Sequence, residues 1–292
     1  MLLGAPVGDE LFKEEVLKRR VEKIRDTTAH LPILQDPHTE FCLLRSCLSL
    51  PKFKVVLRAV NTTPFQALLQ DFDTITREAL NMILAVRVTD LQWAQAKLPV
   101  SMGRLGLRAA EDHAPAAYTT SYLSSQPLVK EILGRAGESV QGGEQGGRAG
   151  TVGEDEEQIE SPSSSSLPRP LLTILSDKMG EDVSVNSMEG VTQKEVSYKI
   201  DQNNHNILSN LTRDSGVREV ARLASVSLPH AGDWLNVVPS PALGLHLRRQ
   251  EFPVVVKYRL GIEVYTRVGP CPACGGHNDQ LGDHAMCCAQ NG

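Results

Sequence analysis

Residues 136–167 constrain the fold of this chain more than any other feature. The run GESVQGGEQGGRAGTVGEDEEQIESPSSSS consists mainly of glycine, serine and acids, with seven acids against one base, Arg148. Ordering each residue costs roughly 1–2 kcal/mol of backbone entropy. Almost nothing here can be buried to offset that, so the stretch reads as a disordered linker. It divides the 292 residues into an N-terminal part, 1–135, and a C-terminal part, 168–292. Each is long enough for a modest domain. The net charge of −5 is concentrated in this linker, which leaves the rest close to neutral. A generally basic surface is thereby excluded. Any nucleic-acid binding has to come from local patches and has to be salt-sensitive.

On either side of the linker the apolar residues recur with helical period. Residues 10–28 read as an amphipathic helix carrying Leu11, Phe12, Val16, Val21 and Ile24. HLPILQDPH at 30–38 is a proline-punctuated connection, 40–50 a second helix ending before Pro51, and 52–60 a third. Thr63-Pro64 is a start signal for a helix running to about Ala85, with Phe65, Leu68, Leu69, Phe72, Ile75, Ala79, Leu80, Ile83 and Leu84 on one wide face. LPVSMGRLGL at 98–107 is a loop, followed by a helix from about Arg108 to Ser124 that Pro115 could kink or split. Beyond the linker, 192–224 reads as helical with an interruption around DQNNHN, and 241–265 as a short helix plus an apolar stretch. The expected class is mostly α: a helical lobe, the acidic linker, and a second small helical region (168–265) ending in a Cys/His segment (266–292). No run of 18 apolar residues occurs, so no membrane span is expected. MLLGAPVGDELFKEEV has no basic stretch before its short apolar run and does not read as a secretory signal.

Four of the six cysteines, Cys271, Cys274, Cys287 and Cys288, crowd the last 22 residues. That is not the scatter of a disulfide scaffold and points to an intracellular, reducing compartment. Cys271-x2-Cys274-x9-His284 followed by Cys287 or Cys288 supplies three thiolates and one imidazole. Zinc favours such tetrahedral S/N sets, and four protein ligands make a structural rather than a catalytic site. Gly275 can relax the backbone after Cys274. His277 is a weaker alternative ligand. Cys42 and Cys47 read as buried small hydrophobes. Trp93 and Trp234 read as core residues in apolar settings. Ser225 and Ser227 lack a nucleophile elbow.

Three stretches resemble the tail of non-LTR (LINE-like) retrotransposon reverse transcriptases. LLGAPVG at 2–8 is similar to the turn after the catalytic palm. DLQWAQAKLPVSMGRLGLRAAEDHAPAAY at 90–118 resembles the thumb-region signature. GDWLNVVPSPALGL at 232–245, KYRLGI at 257–262 and CPACGGHNDQLGDHAMCC at 271–288 resemble the zinc-knuckle region. The three are collinear. The resemblance implies the end of a palm plus a thumb over 1–135, and it selects His-x3-Cys, hence Cys288, as the fourth ligand of a structural zinc. It also implies an RNA or DNA partner gripped by its backbone, and no small-molecule substrate. The polymerase carboxylates of that family lie upstream of the first matching motif, and no Tyr-x-Asp-Asp occurs here. The expectation is therefore a reverse-transcriptase fragment that is not an enzyme, with residual nucleic-acid binding. A host-retained zinc-containing interaction or nucleic-acid-binding module is the alternative. Candidate contacts are Lys18, Arg19, Arg20, Lys23 and Arg25 on the first helix, with Arg104 and Arg108 at the thumb-like signature. Basic sets of the first kind are more often the solvated face of a helix. Where the family signature has two glycines this chain has Gly103-Arg104, a change expected to disturb a loop that needs positive φ or close approach at 104.

Overall fold

The chain builds helices wherever its apolar spacing is helical. In the computed structural model, which describes residues 5–141 and 167–290, α1 (Glu10–Ala29) starts at Asp9, whose carboxylate accepts the Phe12 N–H at 2.8 Å. It buries Val16, Leu17, Val21 and Ile24, while Leu11 stays exposed. α2 (Pro37–Leu43) is capped by Asp36 and runs through a π turn, Leu44–Leu48, into α3 (Leu50–Ala59). Pro51 sits in the first turn of α3, where its missing N–H is not needed. The Thr63-Pro64 signal opens a short 3-10 turn and then α4 (Gln66–Leu84), which ends on Ala85 in the left-handed region. α5 (Asp90–Lys97) begins with a reciprocal capping box between Thr89 and Gln92.

α6 spans Ala110–Gln141, well past the expected end at Ser124 and into the stretch read as linker, and it runs through Pro115 without a break. Its first turn is secured from outside: Asp73 of α4 accepts the N–H groups of Ala110 at 2.7 Å and Glu111 at 3.1 Å. Burial pushes this carboxyl up to about 7, against the pull of those two donors. Residues 142–166, the rest of the linker, lie outside the described residues, and Leu167, read as the last linker residue, is buried.

After the linker come α7 (Arg169–Met179), α8 (Gln193–Arg213), α9 (Val217–Val226), α10 (Glu251–Leu260) and the five-residue α11 (Asp283–Cys287). α7 was not foreseen. α8 continues through DQNNHN, because Asp201 joins Val196, Ile200 and Leu208 on the buried face and is satisfied there by Arg108 and His113. Thr192 and Glu195 form its capping box. No strand occurs among the described residues; isolated bridges join Ser240 to Leu245 and Pro270 to His277. The chain is mostly helical. Among the described residues no helix is long and apolar enough to cross a membrane.

Three apolar clusters hold these helices. One joins α1, α3, α4 and the start of α6 around Phe53 and Phe72. Another packs Ala116 of α6 against Leu175, Met179, Val196 and Ile200 of α7 and α8. The third mixes Phe41, Leu80, Leu84, Leu105 and Leu107 with Leu235, Phe252, Val256 and Leu260 from beyond the linker. Ion pairs cross the same divide. Asp112 accepts from Lys97 at 2.9 Å and Lys178 at 2.7 Å, and buried Asp201 pairs with Arg108 and, at 3.4 Å, with His113. Burial opposes ionisation of Asp112, but the two ammonium groups win and hold it at about 2. The stretches the linker separates in sequence are thus interleaved in space. Trp93 and Trp234 pack against the third cluster. Cys47, expected to be buried, is exposed and Cys42 is only partly covered, because the π turn shifts the helical register between them.

Candidate metal centre

Residues 262–290 are mostly turns and carry little apolar burial. Hydrogen bonds within the segment shape its turns, and Arg218 ties it to the helical body. Val264 and Tyr265 donate to the Gln280 carbonyl at 2.8 and 3.0 Å. Arg218 of α9 clasps Asp283 with two bonds, 2.5 and 2.9 Å. Asp279 accepts the N–H groups of Asp283 and His284 and so starts α11, which brings His284 back toward the cysteine turn.

In the CPACG turn the Gly275 N–H donates to the Cys271 carbonyl at 2.8 Å and the Cys271 N–H to the Gly276 carbonyl at 2.6 Å. Gly275 has φ +71°, a left-handed conformation that glycine adopts without strain. The turn also aims N–H groups at sulfur: Gly276 donates to Cys274 Sγ at 3.3 Å. The sulfurs of Cys271 and Cys288 are 3.9 Å apart, and Cys274 Sγ is 3.2 Å from His284 Nε2. The four donor atoms all lie within 4.8 Å of one another. A tetrahedral ion with metal–sulfur bonds of about 2.3 Å needs sulfurs about 3.8 Å apart. The cluster could therefore hold a metal ion, and its donor set is compatible with zinc.

The electrostatics agree with a site short of positive charge. N–H groups of Cys274 and Ala273 hold the Cys271 thiol well below its ordinary range, at about 6. Cys274 receives the Gly276 N–H, yet desolvation and the neighbouring sulfurs of Cys288 and Cys271 raise it. One thiolate forms readily and then opposes the next, a conflict that a bound cation removes.

All four expected ligands, Cys271, Cys274, His284 and Cys288, meet in this cluster. Cys287 is exposed and lies outside it, and His277 instead makes the isolated bridge with Pro270. The candidate nucleic-acid residues do not meet. Lys18, Arg19 and Lys23 are exposed on α1, Arg20 is partly covered, and Arg25 is engaged with Asp71 at 2.5 Å. Acids alternate with them: Glu15 lies 3.5 Å from Arg19. Arg104 has no exposed surface, so no strand can reach it. It sits among Arg222, Arg259, Ser227 and His205, and burial followed by the two neighbouring guanidinium groups lowers it to about 10. Its loop needs no left-handed backbone at 104. Gly103 (φ +81°) and Gly106 (φ +77°) carry that conformation, and the Arg104 side chain turns inward. Arg108 is half-buried and neutralised by Asp201. Arg45, Lys54, Arg58 and Lys194, which spacing did not single out, come together with Arg108 around one cavity. Nothing in the linear sequence signals this, since they belong to four separate segments.

No family model, curated protein or solved structure matches the chain.

Proposed function

We propose that this chain is a non-catalytic, zinc-stapled helical protein related to the post-palm region of non-LTR retrotransposon reverse transcriptases, and that it binds the backbone of RNA or DNA. The metal is zinc in a structural role: four protein ligands leave no open position for a water nucleophile. The observation that carries the reading is the closing of Cys271, Cys274, His284 and Cys288 into one donor cluster, at the end of three stretches that resemble that family in the same order. The absence of Tyr-x-Asp-Asp from the sequence supports a non-catalytic role, since in-line nucleotidyl transfer needs carboxylates to hold its two metal ions.

The test uses the full chain purified without chelator. Metal analysis should return one zinc per chain. Labelled single-stranded RNA and DNA should bind at about 50 mM salt, without strong sequence preference, and weaken steeply as salt rises. A primed template should not be extended. A chain that binds neither nucleic acid at low salt overturns the binding function, and metal-dependent primer extension overturns the non-catalytic one.

A further inference from the structure

The cavity between α3, the Gly106–Arg108 loop and the first turn of α8 has a volume of about 470 Å³ and is bordered by five cationic side chains, Arg45, Lys54, Arg58, Arg108 and Lys194, with no Asp or Glu among its lining residues. In a chain of net charge −5 whose α1 alternates bases with acids, this is a one-sign surface. Only Arg108 is neutralised, by Asp201 beneath the floor. Arg45, Lys54 and Lys194 make no ion pair among the described residues, and Arg58 gives its Nε–H to the neutral Gln193 at 2.8 Å. Arg45 is partly buried over the Phe41 ring, and burial lowers it below its ordinary value, opposed by the Cys42 sulfur and by no carboxylate. A cation that is desolvated and left without a counter-charge is costly unless an anion joins it.

Two further features point the same way. The first turns of α3 (Leu50, Pro51) and α8 (Gln193, Lys194) both border the cavity, and helix N-termini carry partial positive charge. Glu195, the acid nearest along the chain, is held in the capping box with Thr192 and does not line the cavity. Arg58 and Gln193 also line a second cavity of about 870 Å³ that continues past Lys130. The second cavity prolongs the depression into a groove longer than a single phosphate, but its lining carries Glu189 as well as Lys130, so the one-sign surface is the 470 Å³ part. No Phe, Tyr or Trp lines the 470 Å³ cavity, so it offers charge but no stacking platform for bases.

We infer that this groove, and not the basic face of α1, is where a nucleic-acid strand lays its phosphodiester backbone, with Lys54, Arg58 and Lys194 reaching phosphates and Arg45 lying deeper. This rests on the nucleic-acid reading above and gives it a site.

The experiment measures binding of a labelled single-stranded oligonucleotide, and separately of inorganic tripolyphosphate, to the full zinc-loaded chain across a salt series. Three forms are compared: wild type, the groove double variant Lys54→Ala/Lys194→Ala, and the α1 double variant Lys18→Ala/Lys23→Ala. All four lysines are exposed, so folding should be retained, and the helical circular dichroism of each form checks it. The groove variant should bind the oligonucleotide at least tenfold more weakly. Its slope of log affinity against log salt should be shallower by about 1.4, because two phosphates of the single strand are no longer neutralised. The α1 variant should match wild type, and Lys54→Arg/Lys194→Arg should restore most of the affinity. Oligonucleotide binding that the groove variant leaves unchanged, or that the α1 variant weakens equally, overturns the assignment of the groove while the nucleic-acid reading stands. Tripolyphosphate binding abolished in the groove variant, with no oligonucleotide binding by wild type, overturns the strand as ligand and the parent reading with it, and leaves an anion site of another kind.

Discussion

The helical body and the C-terminal cysteine segment hold their shapes by different means. The body buries Phe41, Phe53, Phe72 and Phe252 with a large set of Leu, Ile, Val and Ala side chains in three clusters that cross the linker. The segment after Ile262 buries one apolar side chain, Cys271, and its helix α11 buries none. A stretch of that length cannot enclose enough hydrocarbon to order itself, so its centre is a set of four donor atoms. Apolar burial is spread over many residues and degrades gradually under mutation. A four-ligand centre is all-or-none. The two regions should therefore respond to different perturbations.

The largest effect should come from the metal. Chelation, or Cys271→Ser or Cys274→Ser, should abolish metal binding and remove amide-exchange protection from residues 264–290, while protection in α4 and α6 persists. Binding energies of roughly 10–16 kcal/mol are typical when zinc folds a small module. Loss of protection in both regions together would show that the body also depends on the metal and would break the comparison. The converse perturbation is Phe72→Ala. Phe72 has no exposed surface and stacks on Phe53 with ring centres 5.0 Å apart. Its truncation should cost the body about 3–5 kcal/mol in denaturant unfolding without changing the metal stoichiometry.

Acid sharpens the contrast. Asp112 is held at about 2 against an ordinary 3.8, so its bridges to Lys97 and Lys178 add stability above 3.8 that disappears as the pH falls through 2. The contribution is about 2 kcal/mol at neutral pH. Asp112→Asn should remove it and flatten the acid limb of the body's stability profile within that window. Metal release, which needs only protonation of thiolates and imidazole, should come at higher pH. Zinc retained below the window in which the body unfolds would contradict this order.

A smaller effect is expected at Arg104. Its guanidinium is fully buried, Nε has no partner, and two further arginines lower its pKa. Arg104→Met keeps most of the volume and removes the charge, so the body should be unchanged or more stable by about 1 kcal/mol. Destabilisation by more than that would assign the charge a structural partner. The smallest effect belongs to Cys287→Ser, which should leave the metal content at wild-type level because Cys287 stands outside the cluster. Metal loss in this variant, with retention in Cys288→Ser, would exchange the fourth ligand.

Local features were legible in the linear sequence. α1, α3 and α4 follow from apolar periodicity and from the Thr63-Pro64 start signal, because i to i+4 contacts lie within one helix. The metal ligands were legible for a similar reason: Cys271, Cys274, His284 and Cys288 fall within one short segment, and the turn at Gly275 and the helix at Asp283 bring them together over a few residues. Everything else depended on packing between distant segments. DQNNHN reads as a break because only the packed fold gives its Asp201 the partners Arg108 and His113 that let α8 bury it. Arg104 looked like a surface contact until Arg222 and Arg259, more than a hundred residues away, closed over it. The basic groove draws Arg45, Lys54, Arg58, Arg108 and Lys194 from four separate segments on both sides of the linker. Charge sums over a sequence carry no record of which side chains share a cavity, and that depends on how α3, α6 and α8 pack.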